Sequence, residues 1–383
     1  MKKQVLIVID SLGCGGAEKS LAALLKRLDY SRMDVDLLVR SRGGVNEAHV
    51  PECVRMLDYR PRGIKALLGA AAYSIGFRLL DAAGVRRHRA ETLWVLAGWS
   101  FPRMRRHYDV AIAYQQGVPT FFAATKVSAT RRLAWINVDI ATAGYRPGFC
   151  GKYYDRYDKV VAVSRMLHES IRVAGYTDSR RLTTIYDIVD TEEIRSLACL
   201  PAKVRPLPAE VLRIVTVGRM ERQKNYILAV ETAAELKRRG VRFVWHFVGD
   251  GSERPTVAAA AKRLGVADCI VFEGARANPY PWFAAADIYV QTSSFEGFGL
   301  TLAEARVLGK PVVTTDFGVA RDQIADGHNG LIAQMTPASV ADKIEALAAD
   351  PELRRHIAAN AAAESNDTAL TESRKVNQLI CEP

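Results

Sequence analysis

The 383-residue chain has little cysteine and uses it without pattern: Cys14, Cys53, Cys150, Cys199, Cys269 and Cys381 are scattered, with no Cys-x-x-Cys pair. That excludes a disulfide framework or a cysteine metal cluster as an organising feature and fits a reducing compartment. No unbroken apolar run reaches the roughly 18 residues that span a bilayer. The opening MKKQVLIVIDSLGCGG has the lysines of a secretory leader, but its apolar run is only Val5 to Ile9 and no small-residue cleavage site follows, so a first strand is expected there. No histidine stands with a serine or cysteine in a hydrolase arrangement, and no zinc spacing occurs. A surplus of charge is absent from the second half. Residues 1–195 carry 31 Lys and Arg against 20 Asp and Glu, whereas residues 196–383 carry 22 of each, so the net +11 belongs to the first half. No recognition motif links that charge to nucleic acid, and no nucleic acid partner is expected.

What the chain does have is alternation. Apolar runs of strand length recur between helical spacings at residues 4–10, 35–39, 109–114, 132–136, 159–163 and 182–186. They resume at 213–217, 243–248, 269–272, 288–290, 311–315 and 331–333. Two such series in tandem predict an α/β protein of two Rossmann-like parallel-sheet domains facing a central cleft. The expected boundaries are 1–186 and 187–364, with a Pro-rich loop, Pro201–Pro208, just beyond the hinge.

The densest chemistry lies in Thr292–Asp316, TSSFEGFGLTLAEARVLGKPVVTTD. Gly297 and Gly299 punctuate a turn after a strand. Leu300, Ala303, Glu304, Val307 and Leu308 then fall at helical spacing, and another strand follows. The turn brings the backbone N–H groups of Phe298, Gly299 and Leu300 to a helix start, where they lack intrahelical acceptors and the helix dipole is positive. Such a place binds phosphate. Glu296 and Glu304 bracket it. Like charge would repel either carboxylate from a diphosphate, so each is expected to accept from sugar or ribose hydroxyls. Two solvated surface acids are the plainer alternative.

Gly218-Arg219 closes an earlier strand, and Lys224-Asn225 follows five residues later. Two cations at a strand's carboxyl end suit a diphosphate, more so as it departs with added charge. Gly249-Asp250-Gly251 and Gly274-Ala275-Arg276 close two further strands. Near the amino terminus Gly13, Gly15 and Gly16 mark a strand-to-helix junction where backbone can approach a ligand. Glu18 breaks both the Walker A pattern and the dinucleotide fingerprint there. Asp34-Val35-Asp36 is a formal Asp-x-Asp, but it enters a strand rather than ending one, so no metal is expected on it.

Residues 61–106 differ from the rest. Ile64, Leu67, Leu68, Ala71, Ala72, Ile75 and Leu79 recur at helical spacing, with Arg62, Lys65 and Arg78 off the stripe. Arg86, Arg87, Arg89, Arg103, Arg105 and Arg106 follow, with Trp94, Trp99 and Phe101 among them. A basic amphipathic helix of this kind lies on an anionic membrane surface or packs its stripe on its own domain. The charge asymmetry favours the membrane.

SSFEGFGLTLAEA resembles the Glu-x7-Glu motif of glycosyltransferase family 4, the retaining nucleotide-sugar transferases of GT-B architecture. KPVVTTD, DGHNGL and GRM-x-x-QKN fit the same family. The resemblance implies that Glu296 contacts the donor sugar, Glu304 the ribose, and Arg219 and Lys224 the diphosphate. Gly218, Gly249, Gly297, Phe298, Gly299 and Leu300 would line the donor site. Ala275 and Arg276 would hold the base through the main chain, and Gly15 and Gly16 would lie near the phosphates. Alanine at Glu296, Arg219 or Lys224 is then expected to abolish transfer without unfolding the protein. The resemblance also implies an amino-terminal acceptor-side domain and a terminal helix, 365–383, that returns to it. It implies no cofactor and no metal, a UDP-linked sugar donor, and a surface-glycan or lipid-linked acceptor of the lipopolysaccharide-core or capsule kind. The location would be the cytoplasm, at the inner face of the plasma membrane. In one version of the mechanism no protein nucleophile is used, and the leaving diphosphate takes the acceptor's proton.

Two departures stand out. Many relatives read Trp-Ile-His before an acid, whereas this chain has Trp135-Ile136-Asn137 and then Asp139, its acceptor-side candidates. Where relatives commonly carry Asn in an Asn-Pro-Val-Asp-like segment, this chain reads Tyr186-Asp187-Ile188-Val189-Asp190. Nucleotide-sugar 2-epimerases share the architecture and form the alternative. A non-catalytic donor-binding subunit is a third reading, for which Asn137 and Asp187 are the hints.

Overall fold

The apolar runs become strands because burial on both faces of a parallel sheet selects uninterrupted Val, Ile and Leu. The computed structural model describes residues 2–382 except Arg86, Lys203, Arg205, Asn366 and Asp367. One residue of the basic tail, two of the Pro-rich loop and two of the carboxyl-terminal segment therefore lie outside the described residues. The chain divides into two units, residues 1–188 with 370–383, and residues 189–369.

The first unit holds β1 (Lys3–Ser11), β2 (Met33–Ser41), β3 (Arg55–Asp58), β4 (His107–Ala113), β5 (Ser128–Ile136), β6 (Lys159–Ala162) and β7 (Leu182–Thr184). Their order is β3-β2-β1-β4-β5-β6-β7, and every pairing is parallel. Central β1 sets Ile7 between Leu37 and Ile112. Edge strand β3 was not legible, because Arg55-Met56-Leu57-Asp58 contains no apolar run. It is held by Arg55, which donates to both oxygens of Asp36 at 2.9 and 2.6 Å. Asp36 also accepts from Tyr108 Oη at 2.8 Å and pairs with Arg106 at 3.2 Å. Burial pushes this carboxyl up, but its partners outweigh burial and hold it below the usual range. The second acid of the Asp-x-Asp is thus a strand-pinning group.

The helix Thr368–Cys381 adds its residues from 370 onward to the first unit. Lys3 Nζ donates to Ile380 O at 3.3 Å and Arg131 Nη1 to Leu379 O at 2.9 Å. Cations at a helix carboxyl end satisfy its orphan carbonyls and oppose its dipole. Asn377 bonds Asp29 N and Arg27 O, and Glu372 accepts from Tyr186 N at 2.8 Å.

Three helices of the first unit matter below: α1 (Gly16–Leu25), α2 (Gly63–Ala82) and α3 (Arg89–Ala97). α2 forms where the apolar spacing predicts it, but the stripe does not pack on its own unit. Ile64, Leu67, Leu68, Ile75 and Leu79 are 54% to 75% exposed. The inner face is the opposite one, where Gly69 and Gly76 sit with the half-buried Tyr73, Phe77 and Leu80. A Cβ added at Gly69 would lie 2.6 Å from Ser100 Oγ, and one at Gly76 would lie 2.6 Å from Leu96 Cδ1. By length and composition α2 is, among the described residues, a helix able to cross a membrane. Lys65 and Arg78 break its run, which is why no unbroken stretch of that length appears in the sequence.

The second unit holds β8 (Leu212–Val217), β9 (Phe243–Val248), β10 (Ile270–Gly274), β11 (Ile288–Gln291), β12 (Val312–Thr315) and β13 (Leu331–Ala333). Their order is β10-β9-β8-β11-β12-β13. Ile214, Trp245, Phe247, Ile288 and Val313 lead its core. In both sheets the strand order reverses beside the first strand. Neighbouring connections then leave on opposite faces and open a crevice at the strands' carboxyl ends.

Candidate functional site

In the second unit the reversal lies between β8 and β11, and the residues leaving these strands form the site. Backbone meets backbone where β8 and β9 end. Gly218 N donates to Val248 O at 3.0 Å and Met220 N to Asp250 O at 2.9 Å. Gly249 has φ +147°, and a Cβ there would fall 1.9 Å from Gly218 O; one on Gly251 would fall 2.4 Å from Met220 O. Only glycine fits. This junction presents Arg219, which is exposed and whose side chain makes no hydrogen bond or ion pair with the described residues. Ser252 and, more weakly, the Arg219 charge hold the Glu221 carboxyl below its usual range.

Lys224 ends a short 3-10 turn, Arg222–Lys224. Asn225 follows with φ 48° and caps the helix Tyr226–Arg238 by accepting from Leu228 N. Lys224 Nζ lies 2.7 Å from Glu296 Oε1, with the two side chains 16% and 9% exposed. The same oxygen accepts from Ser293 Oγ at 2.7 Å and Gln291 Nε2 at 3.2 Å, while Oε2 accepts from Gln223 Nε2 at 3.0 Å. Gln291 is oriented in turn, since its own oxygen accepts from Tyr289 Oη at 2.9 Å and Thr301 Oγ1 at 3.1 Å. Its amide nitrogen must therefore face Glu296. The loop is tied to the 3-10 turn by Ser294 N to Gln223 O (2.9 Å) and Thr292 Oγ1 to Lys224 O (3.1 Å). Lys224 and Glu296, expected to serve diphosphate and sugar separately, are thus ion-paired with each other.

Gly299, at φ +85°, precedes the helix Leu300–Val307, whose start carries no side-chain cap. Gln323 Nε2 donates to Phe298 O at 2.5 Å and holds the turn in place. Gly297, Phe298 and Gly299 are buried beside it. Glu304 is 2% exposed and Glu296 is 7% exposed, so neither is a solvated surface acid. Glu304 Oε1 accepts from Tyr280 Oη at 3.0 Å. Burial first, and then the Glu304 charge, push that phenol well up. At the end of β10, Glu273 accepts from His246 Nδ1 at 2.9 Å and from Arg276 at 3.1 Å. The exposed Arg276 guanidinium stacks 5.0 Å from the Trp282 ring centre, next to exposed Ala275. Burial lowers the His246 pKa, against the pull of Glu273.

Sequence reasoning missed Gln223, Gln291, Ser293 and Tyr280. Gln223 stood inside GRM-x-x-QKN, and Ser293 lies three residues before Glu296. Neither spacing announces a hydrogen bond to the acid.

In the first unit, Gly15 precedes α1, and a Cβ on it would fall 2.3 Å from Glu18 Oε2. Glu18 also accepts from Ser11 Oγ at 3.3 Å. Its carboxylate fills the space over Gly15, so an anion approaching Gly15 and Gly16 would meet like charge. Asn137 donates through Nδ2 to Tyr114 O at 2.8 Å, and its buried Oδ1 has no partner among the described residues. Asp139 accepts from Ala141 N (3.1 Å), Thr142 Oγ1 (2.7 Å) and Ser170 Oγ (3.0 Å), so it caps a turn. Asp187 is 5% exposed, and its Oδ1 has no partner among the described residues. Burial, with help from the Glu18 charge and against a hydrogen bond from Ser20, pushes the Asp187 pKa up to about 7.

Residues 201–364 match the family model described as Glycosyl transferases group 1. A D-inositol 3-phosphate glycosyltransferase of Frankia alni is 29% identical over 275 residues, 66% of this chain and 65% of that protein. The lipopolysaccharide core biosynthesis glycosyltransferase LpsE of Rhizobium meliloti is 30% identical over 207 residues, 54% of this chain and 58% of its own. The chain spans less than two thirds of the length of either relative. The crystal structure of Anabaena Alr3699/HepE in complex with UDP and glucose is similar over 100% of both chains, with a TM-score of 0.74 at 19% identity. That likeness shows the fold: two parallel-sheet α/β domains of GT-B type.

Proposed function

We propose, from the match of residues 201–364 to the model described as Glycosyl transferases group 1, that this protein is a retaining glycosyltransferase that works without metal. Its donor is a UDP-linked sugar, in keeping with the UDP bound by the Anabaena neighbour. The observation that carries the reading is the cluster where β8 and β11 end: an Arg219 side chain with no partner among the described residues, the Lys224–Glu296 pair, and a helix start at Gly299 without a side-chain cap.

Each part has a chemical use. Arg219 supplies an exposed guanidinium for the diphosphate, and the Gly299–Leu300 helix start supplies amide donors. Lys224 carries the second cation, partly offset by Glu296 in the resting site. Glu296, held by Ser293, Gln291 and Gln223, is oriented to accept from sugar hydroxyls, and Glu304 from the ribose. During transfer the bond from the anomeric carbon to the β-phosphate oxygen breaks. The acceptor oxygen bonds that carbon on the same face, and its proton passes to the departing diphosphate. Cations facing that oxygen favour the transition state because negative charge grows there. The acceptor is a surface-glycan or lipid-linked sugar at an anionic membrane, on which the exposed face of α2 rests.

The test is UDP release from UDP-glucose, UDP-galactose and UDP-GlcNAc, with and without bacterial glycolipid acceptor, plus NMR of the new anomeric centre. Acceptor-dependent release that persists in EDTA and gives the donor's own anomeric configuration is expected. Conversion of UDP-GlcNAc to UDP-ManNAc without acceptor would make the protein an epimerase instead. Donor binding with turnover only on adding a partner protein would make it a subunit.

A further inference from the structure

Residues 61–106 carry nine Lys and Arg against two Asp and Glu, so seven of the chain's eleven net positive charges fall in the stretch of sequence that contains α2. The outward face of that helix is apolar, with Ile64, Leu67, Leu68, Ile75 and Leu79 all more than half exposed. A second copy of this chain would bring the same cations against its own, which disfavours self-association through this face. An anionic lipid surface satisfies both properties at once, since acyl chains take the apolar stripe and headgroups take the cations.

A cavity of about 330 Å³ opens at the carboxyl end of α2. Its lining includes Phe77, Leu80, Asp81, Val85, Arg87 and Arg89. Neither the Arg87 nor the Arg89 side chain makes a hydrogen bond or ion pair with the described residues, and Arg87 Nε is buried with no partner among them. The single carboxylate, Asp81, leaves the lining net positive. Two guanidinium forks beside the apolar Phe77, Leu80 and Val85 match a phosphodiester, whose oxygens accept bidentate hydrogen bonds. We infer that this cavity binds the phosphate of an anionic phospholipid headgroup while α2 lies flat, with its outward face in the acyl boundary. This rests on the membrane contact proposed above and adds a specific headgroup site to it. The inner face of α2, fitted at Gly69 and Gly76 to Ser100 and Leu96, keeps the helix on the protein and so beside the surface rather than across it.

The experiment is flotation of the full chain with phosphatidylcholine vesicles, with and without phosphatidylglycerol, for the parent and three double variants. The parent should float with phosphatidylglycerol. Arg87→Ala/Arg89→Ala should lose about tenfold or more in partitioning onto those vesicles, while keeping its circular dichroism and its UDP affinity. Lys262→Ala/Arg263→Ala, which removes the same charge from a helix of the second unit, should behave as the parent. Leu67→Glu/Ile75→Glu should float with neither vesicle. A parent that floats with neither overturns the membrane contact and the headgroup site together. Undiminished phosphatidylglycerol preference in the Arg87/Arg89 variant overturns the site alone, as does an equal loss in the Lys262/Arg263 control. Arg87-dependent stabilisation by glycerol phosphate in solution, without any vesicle preference, would assign the cavity to a soluble phosphate and also overturn the lipid assignment.

Discussion

Replacing Lys224 by alanine should weaken the second unit as well as silence it. Lys224 Nζ and Glu296 Oε1 are 2.7 Å apart, and the side chains are only 16% and 9% exposed. Without Nζ, Glu296 keeps neutral donors alone: Ser293, Gln291 and Gln223. Removing one member of a buried pair costs ~3–5 kcal/mol. The three remaining hydrogen bonds and the partial access of water to Lys224 place this case near ~3 kcal/mol. Residues 189–369 form a unit in the size range where each kcal/mol moves the midpoint by ~2–4 °C, so melting should fall by ~6–12 °C. Calorimetric melts of Lys224→Ala, Glu296→Gln and the double variant close a thermodynamic cycle. The double variant should recover much of the loss, because no uncompensated charge is left. Lys224→Ala melting within a degree of the parent, or strict additivity in the cycle, would refute the reasoning.

Arg219→Ala should behave in the opposite way. The side chain is exposed and unpaired among the described residues, so melting should not move. UDP affinity should fall by about tenfold to a hundredfold, the worth of a charge-assisted hydrogen bond, as read by titration calorimetry. Gly249→Ala forces a Cβ to 1.9 Å from Gly218 O at φ +147° and should cost about 3 kcal/mol or more in denaturant unfolding. Asp187 carries a pH signature. Its folded pKa is raised to about 7, so between about pH 4 and pH 7 the folded state holds a proton that the unfolded state has released. Stability therefore falls as pH rises across that window, by up to ~4 kcal/mol in all, and levels off above it. Asp187→Asn should match the parent near pH 4 and exceed it at pH 8, in melts taken across that range.

Much of the fold was legible because parallel strands buried on both faces must be apolar runs. Phe243–Val248 and Leu331–Ala333 form where they are expected. β3 was not legible, since an edge strand held by the Arg55–Asp36 pair needs no apolar pattern. The α2 stripe is helical as its spacing predicts, but spacing hides its direction. Helical spacing says which residues share a face, and only the Gly69 and Gly76 contacts reveal that the opposite face is the packed one. In the site, glycine turns and charged residues at strand ends were visible because backbone approach and phosphate chemistry restrict residue type. The pairing of Lys224 with Glu296 was not visible, because 72 positions of sequence separate the two and tertiary structure alone joins them. The expectation that Lys224→Ala would leave stability intact changes for that reason. The hydrogen bonds by which Asp139 caps a turn were likewise not visible in the sequence.

The most direct test of the central claim is where UDP sits when bound to the complete chain, determined crystallographically. Diphosphate oxygens are expected within about 3 Å of the Arg219 guanidinium and of the Gly299 and Leu300 amides, at the carboxyl ends of β8 and β11. A diphosphate bound with none of these groups in reach would contradict it.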